Sequence, residues 1–202
     1  MLFDIFDAHI EVPHDIYVVA PGPNGLDHIP RIPVDAFVIV VNKAIELPLF
    51  PKLWMCSEPL AGGTEWFKEN IDNNKGIACF WLKYLGENYP DIAYYWKDEE
   101  PLLTKKDFVP IYRVLRRRAT IVGQAVQLAY WLGAKRIVLC GFDASGNTYY
   151  DGTPAGVGNS FKMREGDWHW VVELMNPMVA WMKEDGVEVV SLSKTALDVE
   201  VI

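Results

Sequence analysis

A glycine-containing turn follows the first apolar run of the chain and could bind a phosphate. The residues APGPNG, at positions 20–25, come directly after the run IYVV. Gly22 and Gly25 allow positive φ angles and close approach of a ligand to the backbone, as a phosphate or a nucleotide requires. Proline–glycine turns also end many strands that bind nothing. The turn matches neither GxGxxG nor GxxxxGK[ST], which disfavours an NAD enzyme and a P-loop kinase.

Two further side chains could complete a ligand site. Asn42 ends the apolar run at residues 36–41, and its amide offers two donors and an acceptor to a base or a ribose. His169 follows Asp167, a good helix N-cap, so it should lie in a first helical turn, where the helix dipole favours a neutral imidazole. Such an imidazole can act as a general base. The structural alternatives are a turn amide that bonds local backbone and a histidine packed between two tryptophans.

A long polar segment, residues 144–166, carries five glycines and the two tyrosines Tyr149 and Tyr150. A loop of this length in a compact domain is typical of a lid or a disordered flap. We predict a lid, because the segment begins just after Asp143 at the end of an apolar run. Asp143 and Asp151 could hold a metal–nucleotide complex or activate a hydroxyl, and the tyrosines could bind phosphate. Acids in loops are common, so these residues alone do not define a site.

The elements that would position these residues follow from the hydrophobic pattern. Short apolar runs without polar alternation are typical of parallel strands covered on both faces, and they alternate here with helical patterns. We predict one α/β Rossmann-like domain over residues 1–202, with a mostly parallel sheet, helices on both faces and ligand-binding loops at the strand ends. The predicted strands are 16–20, 36–41, 53–56, 77–82, 92–96, 137–140 and 187–192, the last closing the sheet. The predicted helices are 64–74, 114–132 and 168–184, the last interrupted at Asn176-Pro177.

Composition excludes several classes of function. The formal charge of -8 argues against a nucleic-acid partner. The arginines at positions 113, 116, 117 and 118 could hold a single phosphate or carboxylate, or could form a solvated helix face. The three cysteines lack CxxC spacing, and the histidines at 9, 14 and 28 lack ligand spacing. We therefore expect buried free thiols, structural or solvated histidines and no metal site.

The sequence also predicts a location and bears on the assembly. The first ten residues are acidic and lack the basic flank of a signal peptide, and no apolar run is long enough to span a membrane. We therefore expect a soluble cytoplasmic protein. Tyr94, Tyr95 and Trp96 could belong to a subunit interface of a homo-oligomer or to the core of the sheet.

Four segments together resemble a known family in pattern and order. They are IYVVAPGPNGLDHIP, AFVIVVNKA, IVGQAVQLAYWLGAKRIVLCGFD and WHWVVELMNPMVAWMKEDGVEVVSLS. The chain resembles the small bacterial sialyltransferases that use CMP-activated sialic acid, and also the 6-hydroxymethylpterin diphosphokinase-like proteins. In the sialyltransferases a glycine-rich loop, a strand-end Asn, a helix glycine and a Gly-x-Asp strand end surround the nucleotide. Lid tyrosines bind its phosphate, and a histidine is the general base.

The resemblance assigns roles to particular residues. Asn42 corresponds to the nucleotide-contacting Asn, Gly123 to the helix glycine and Asp143 to the strand-end Asp. Tyr149 corresponds to a lid tyrosine, and His169 falls where the base is expected. By this resemblance His169 and Asp143 are the candidate catalytic residues.

The chain departs from the family pattern at nucleotide and phosphate contacts. The first-loop Asn is replaced by Gly22 or displaced to Asn24, and Val122 stands where the family has Ser. Ser145 replaces the other lid tyrosine, unless Tyr150 serves instead. These departures affect the choice of nucleotide more than the fold.

Three hypotheses of function follow. The first is a glycosyltransferase-like enzyme that moves a sugar from a CMP-sugar-like donor to an acceptor hydroxyl, with His169 as base and with neither a metal nor a tightly bound cofactor. The second is diphosphate transfer from ATP, in which Asp143 or Asp151 would help to bind Mg²⁺. The third is a non-catalytic protein of the same fold that binds a nucleotide or a sugar.

Overall fold

The computed structural model describes separate stretches of the chain. Side chains and backbone are described for residues 13–56, 65–74, 120–144, 148–153 and 168–202, together with the backbone of Asp167 and of three further strands at 78–82, 93–99 and 114–116. Most of the predicted lid, including Ser145, therefore lies outside the described residues. So do the side chains of the arginine cluster and of Tyr94, Tyr95 and Trp96.

Nine strands of the described residues form one parallel sheet. They are β1 (Asp15–Val19), β2 (Phe37–Val41), β3 (Leu53–Cys56), β4 (Ala78–Leu82), β5 (Ala93–Glu99), β6 (Val114–Arg116), β7 (Arg136–Cys140), β8 (Glu188–Ser191) and β9 (Glu200–Val201). Their order is β6-β5-β4-β3-β2-β1-β7-β8-β9, and every described pair is parallel. The predicted α/β Rossmann-like architecture is confirmed, while the single domain over residues 1–202 stays a prediction.

The strand order reverses direction between β1 and β7. From β1 the chain adds β2 and β3 on one side, and it later returns to place β7 and β8 on the other. Val19 of β1 pairs with Val40 of β2 and with Cys140 of β7, so the three strands end at the same level. In open α/β sheets ligands bind in the crevice that such a reversal leaves at the carboxyl ends of the strands.

Helices cover both faces of the sheet. The described α-helices are α1 (Gly25–His28), α2 (Glu65–Asn73), α3 (Ile121–Trp131) and α4 (Asp167–Glu184), with short 3₁₀ turns at Ile29–Arg31 and Asn42–Glu46. Alternate strand residues face opposite layers: Ile16 and Val18 pack in the core with α3 and α4, whereas Tyr17 and Val19 pack in the core with Phe67 of α2. Burial on both faces explains the unbroken apolar runs at residues 16–19, 37–41, 53–56 and 137–140.

The predicted helix over residues 114–132 is wrong at its start. Residues 114–116 form β6, which pairs with β5, and α3 begins only at Ile121. Thr120 has an extended backbone and caps α3, because its Oγ1 accepts a hydrogen bond from the N–H of Gly123 at 3.3 Å. Strand pairing, a tertiary contact, decided the conformation of the first part.

The last helix is not divided at Asn176-Pro177, while the kink expected from the proline stays a prediction. Helix α4 continues through Pro177 to Glu184. Proline in a helix interior costs about 3 kcal/mol. Met175, Met178 and Met182 of α4 are completely buried against the sheet, and burial contributes about 1.5–3 kcal/mol for each such side chain. The packing of the helix therefore offsets the cost of the proline.

The sheet continues one strand beyond the predicted last strand. Strand β9 pairs with β8, with Ser191 opposite Val201. Cys56 and Cys140 are buried, and burial raises the pKa of the Cys140 thiol to about 12. None of the helices in the described ranges has both the length and the apolar character needed to cross a bilayer.

Candidate functional site

The loops after β1 and β7 contact each other through their backbones. The N–H of Ala20 donates to the carbonyl of Cys140 at 2.8 Å, and the N–H of Gly22 donates to the carbonyl of Gly141 at 2.9 Å. A Cβ on Gly22 would overlap the Gly141 carbonyl, and a Cβ on Gly141 would overlap the Ala20 carbonyl. Gly141 also has a φ of 66°. Only glycine fits these two positions, and the close approach leaves bare backbone at the reversal point of the sheet.

Asp143 is held at this point by two side chains from different parts of the chain. Its carboxyl Oδ1 accepts hydrogen bonds from the Asn24 amide at 2.7 Å and from the Ser193 hydroxyl at 3.0 Å. The residue is only 8% exposed. Its Oδ2 is buried, has no hydrogen-bond partner among the described residues and lies beside Gly22. A buried carboxylate oxygen without a partner is unfavourable, so Oδ2 is a strong acceptor for a donor group that enters the site.

His28 holds the loop after β7 by a hydrogen bond to its backbone. Its Nδ1 accepts a hydrogen bond from the N–H of Gly141 at 2.9 Å, and the residue is buried, with 4% of its surface exposed. Nδ1 can accept only when it carries no proton, so the neutral ring has its hydrogen on Nε2. Burial lowers the pKa of His28, and the charge of Arg31 acts in the same direction, while Asp143 and Asp27 oppose them.

The short segment at residues 148–153, called here the strap, lies across the same edge of the sheet. The N–H of Tyr150 donates to the carbonyl of Pro21 at 2.9 Å, and the Tyr150 hydroxyl donates to Glu46 Oε2 at 2.8 Å. Burial raises the pKa of Tyr150, and the hydrogen bond to Glu46 raises it further. The hydroxyl that we predicted to bind phosphate therefore already donates its proton within the protein.

Asp151 of the strap forms an ion pair instead of lying open to a metal. Lys43 Nζ is 2.5 Å from Asp151 Oδ2 and 3.4 Å from Thr153 Oγ1. The hydrogen bond from Lys43 holds the pKa of the Asp151 carboxyl far below its usual range, and bonds from Thr153 reinforce the effect. The Lys43 ammonium also lies 5.5 Å from the ring centre of Tyr149 and 5.9 Å from that of Tyr150. Lys43 was not among the predicted site residues.

The connections between strands and helices place Asn42 and Gly123 at the same edge of the sheet. Asn42 directly follows β2 in a left-handed conformation, with a φ of 46°, and its carbonyl accepts from the Trp54 indole at 3.0 Å. Gly123 is buried in the first turn of α3. Because α3 connects the parallel strands β6 and β7, its N-terminus must lie at the carboxyl edge of the sheet. Both predicted residues are therefore on the expected side.

His169 is exposed near the start of α4. The preceding residue, Trp168, packs edge-on against Phe142, which precedes Asp143, at 6.0 Å between ring centres. The imidazole is 79% exposed, and its Nε2 is 3.0 Å from Glu173 Oε1. The ring is therefore not packed between its tryptophan neighbours, and Glu173 holds one of its two nitrogens.

Some of the predicted site residues contact one another directly, whereas others are only placed at the same edge of the sheet. Gly22, Asn24 and Asp143 form one contact group, and the backbone of Tyr150 bonds the same turn. The structure adds residues that the sequence analysis missed: Ser193, Lys43, Glu46, Glu173 and the bonding role of His28. Two of them had a signal, since Ser193 follows a predicted strand and Glu173 lies four residues after His169. Across the described stretches no group of three or more His, Cys, Asp or Glu side chains could hold a metal ion.

Comparisons with known proteins give a fold likeness and no sequence relative. No protein-family model matches the chain, and no curated protein matches it. Two similar structures are of the sialyltransferase CstII from Campylobacter jejuni. The complex with the substrate analogue cytidine-5'-monophosphate is 14% identical with a TM-score of 0.48, covering 89% of this chain and 80% of that one. The complex with the substrate analogue CMP-3FNeuAc is 13% identical with a TM-score of 0.50, covering 89% and 81%.

At such low identity the likeness shows a shared fold and nothing more. The architecture of this chain is that of the CMP-3FNeuAc complex. Neither similar structure supports the resemblance to diphosphokinase-like proteins.

Proposed function

We propose that the protein transfers a sugar from a nucleotide-activated donor of the CMP-sugar class to an acceptor hydroxyl. The observation that carries this proposal is the Asp143 carboxyl, which two side chains fix at the reversal point of the sheet while its Oδ2 lacks a partner among the described residues. Support also comes from the shared fold with a protein that was solved with CMP-3FNeuAc.

In this proposal Asp143 recognises the nucleoside. Oδ2 accepts a hydrogen bond from a ribose hydroxyl or an exocyclic amine, and the bare backbone at Gly22 and Gly141 allows the close approach. Because Oδ2 is covered from solvent in this structure, the donor must first displace part of its cover. The amide of Asn42, one strand away, is a second group able to read the base or the ribose.

His169 acts as the general base. The Glu173 carboxylate next to Nε2 favours the neutral tautomer with its hydrogen on Nε2, which leaves Nδ1 to take the proton of the acceptor hydroxyl. As that oxygen bonds to the anomeric carbon, the bond from this carbon to the donor phosphate breaks and the nucleoside monophosphate leaves. Glu173 is a positioning residue, and the exposure of His169 gives the acceptor access.

Ligand binding followed by turnover tests the proposal. Calorimetry with CMP, a CMP-sugar and ATP plus Mg²⁺ should show a preference for the cytidine ligands, and release of CMP from the CMP-sugar should depend on an acceptor. A preference for ATP plus Mg²⁺ would overturn the proposal in favour of diphosphate transfer. Cytidine binding without turnover of any donor would support the non-catalytic alternative.

A further inference from the structure

Lys43 occupies an unusual place for a surface lysine. It follows Asn42 in the 3₁₀ turn at the carboxyl end of β2, the strand next to β1 and its Gly22 turn. Its side chain is only 24% exposed. Lysine normally keeps its charge in water, so this much cover needs compensating contacts.

The strap supplies those contacts. The rings of Tyr149 and Tyr150 lie within cation–π distance of the ammonium, and Asp151 supplies the balancing negative charge at 2.5 Å. Asp151 is itself one-third exposed and lies in the strap, whereas Lys43 belongs to the sheet edge. The more exposed partner, Asp151, is thus the one that can leave, and its carboxylate would regain full hydration.

We infer that Lys43 is the cation that receives the phosphate of the donor, and that the Asp151 carboxylate occupies this anion position until the donor binds. The inference rests on the proposed function. A phosphodiester oxygen can take the place of a carboxylate oxygen beside the ammonium with no change in local charge. When the bond to the sugar breaks, the departing phosphate gains a negative charge. A fixed cation therefore stabilises the transition state, in which the phosphate carries more negative charge, more than it stabilises the bound donor.

The phosphate dependence of binding tests this inference. We would measure the affinity ratio of CMP to cytidine for the wild type, Lys43→Gln, Lys43→Arg and Asp151→Asn. Lys43→Gln should reduce the ratio about 10-fold or more with cytidine affinity unchanged, which is typical for loss of a charged hydrogen bond. Lys43→Arg should retain most of the ratio. Asp151→Asn should strengthen CMP binding, because the competing carboxylate is gone.

Lys52→Gln is the matched control, because Lys52 is exposed and precedes β3 at the opposite edge of the sheet. It should leave both affinities unchanged. Equal weakening of CMP and cytidine by Lys43→Gln would indicate a structural role and overturn the inference, as would an unchanged ratio. If Lys43→Gln fails to fold, the Asp151→Asn result decides, and weaker CMP binding there would overturn the inference.

Failure of the proposed function can be distinguished from failure of the inference about Lys43. If the wild type binds neither CMP nor cytidine, the nucleotide proposal falls, and inorganic pyrophosphate becomes the probe for Lys43. If Lys43→Gln abolishes pyrophosphate binding and Asp151→Asn strengthens it, Lys43 is still supported as an anion-binding residue. If the wild type does not bind pyrophosphate, the inference that Lys43 binds an anion is overturned as well.

Discussion

The imidazole of His28 accepts a hydrogen bond from the main-chain N–H of Gly141, 113 residues later in the chain, at 2.9 Å. The bond joins the end of α1 to the loop after β7, which contains Gly141, Phe142 and Asp143. It exists only while Nδ1 is unprotonated. The position of Asp143 is therefore connected to the protonation state of a buried histidine.

This connection predicts a loss of stability in mild acid. Burial lowers the pKa of folded His28 below its ordinary value of 6.5, so the unfolded chain takes up a proton first as the pH falls. The contribution of His28 is fully present above the unfolded pKa and is lost as the pH falls through the folded pKa. Urea unfolding between pH 8 and pH 5 should show this, with a slope of at most about 1.4 kcal/mol per pH unit.

His28→Asn is the comparison for this prediction, since an amide oxygen can accept from Gly141 but does not titrate. The exposed His14 is present in both proteins and cancels in the difference. A pH dependence shared equally by the wild type and His28→Asn would show that other groups cause the acid loss.

Gly141→Ala should destabilise the fold more than Gly186→Ala does. Both glycines have positive φ, at 66° and 79°, so alanine at either position carries a backbone cost of about 1–2 kcal/mol. At Gly186 the new methyl group would meet nothing within 4 Å, whereas at Gly141 it would overlap the Ala20 carbonyl. We expect about 1–3 kcal/mol more for Gly141→Ala, from denaturant unfolding. Equal losses would mean that the loops after β1 and β7 separate without cost.

Asp143→Asn should weaken cytidine nucleotide binding about 10- to 100-fold, because a neutral amide replaces a charged acceptor of the same shape. Ser193→Ala should weaken binding less, since Asn24 still holds Oδ1. Calorimetry with CMP measures both effects. Asp35→Asn, at an exposed residue before β2, is the control and should bind like the wild type. Unchanged affinity in Asp143→Asn would remove Asp143 from the binding site.

His169→Ala should lower kcat about 10²- to 10⁴-fold with little change in donor affinity, as expected for loss of a general base. Glu173→Gln should lower kcat less, because the amide oxygen can still accept a hydrogen bond from Nε2 but orients the ring less firmly than a carboxylate does. Steady-state CMP release measures both. His14→Ala replaces another exposed histidine, one that precedes β1 at the opposite edge of the sheet, and should not change kcat. Turnover by His169→Ala at the wild-type rate would exclude His169 as the base.

The sequence alone determined the architecture and the edge of the sheet at which the candidate residues lie. Unbroken apolar runs such as residues 37–41 and 137–140 require burial on both faces, and their alternation with helices leaves a parallel sheet as the arrangement that satisfies them. The residues that follow these runs, including Asn42 and Asp143, could therefore be placed at one edge before any coordinates. Their individual roles stay predictions.

The tertiary structure decided what the local pattern could not. Residues 114–116 are a strand because β5 offers them a partner, and α4 passes Pro177 because its methionines are buried. The hydrogen bonds of Ser193, His28 and Lys43 form only when segments far apart in the chain are brought side by side. Hydrophobic periodicity reports which face of an element is buried. It carries no information about which distant polar group will lie within 3 Å, because packing of the whole sheet sets that distance.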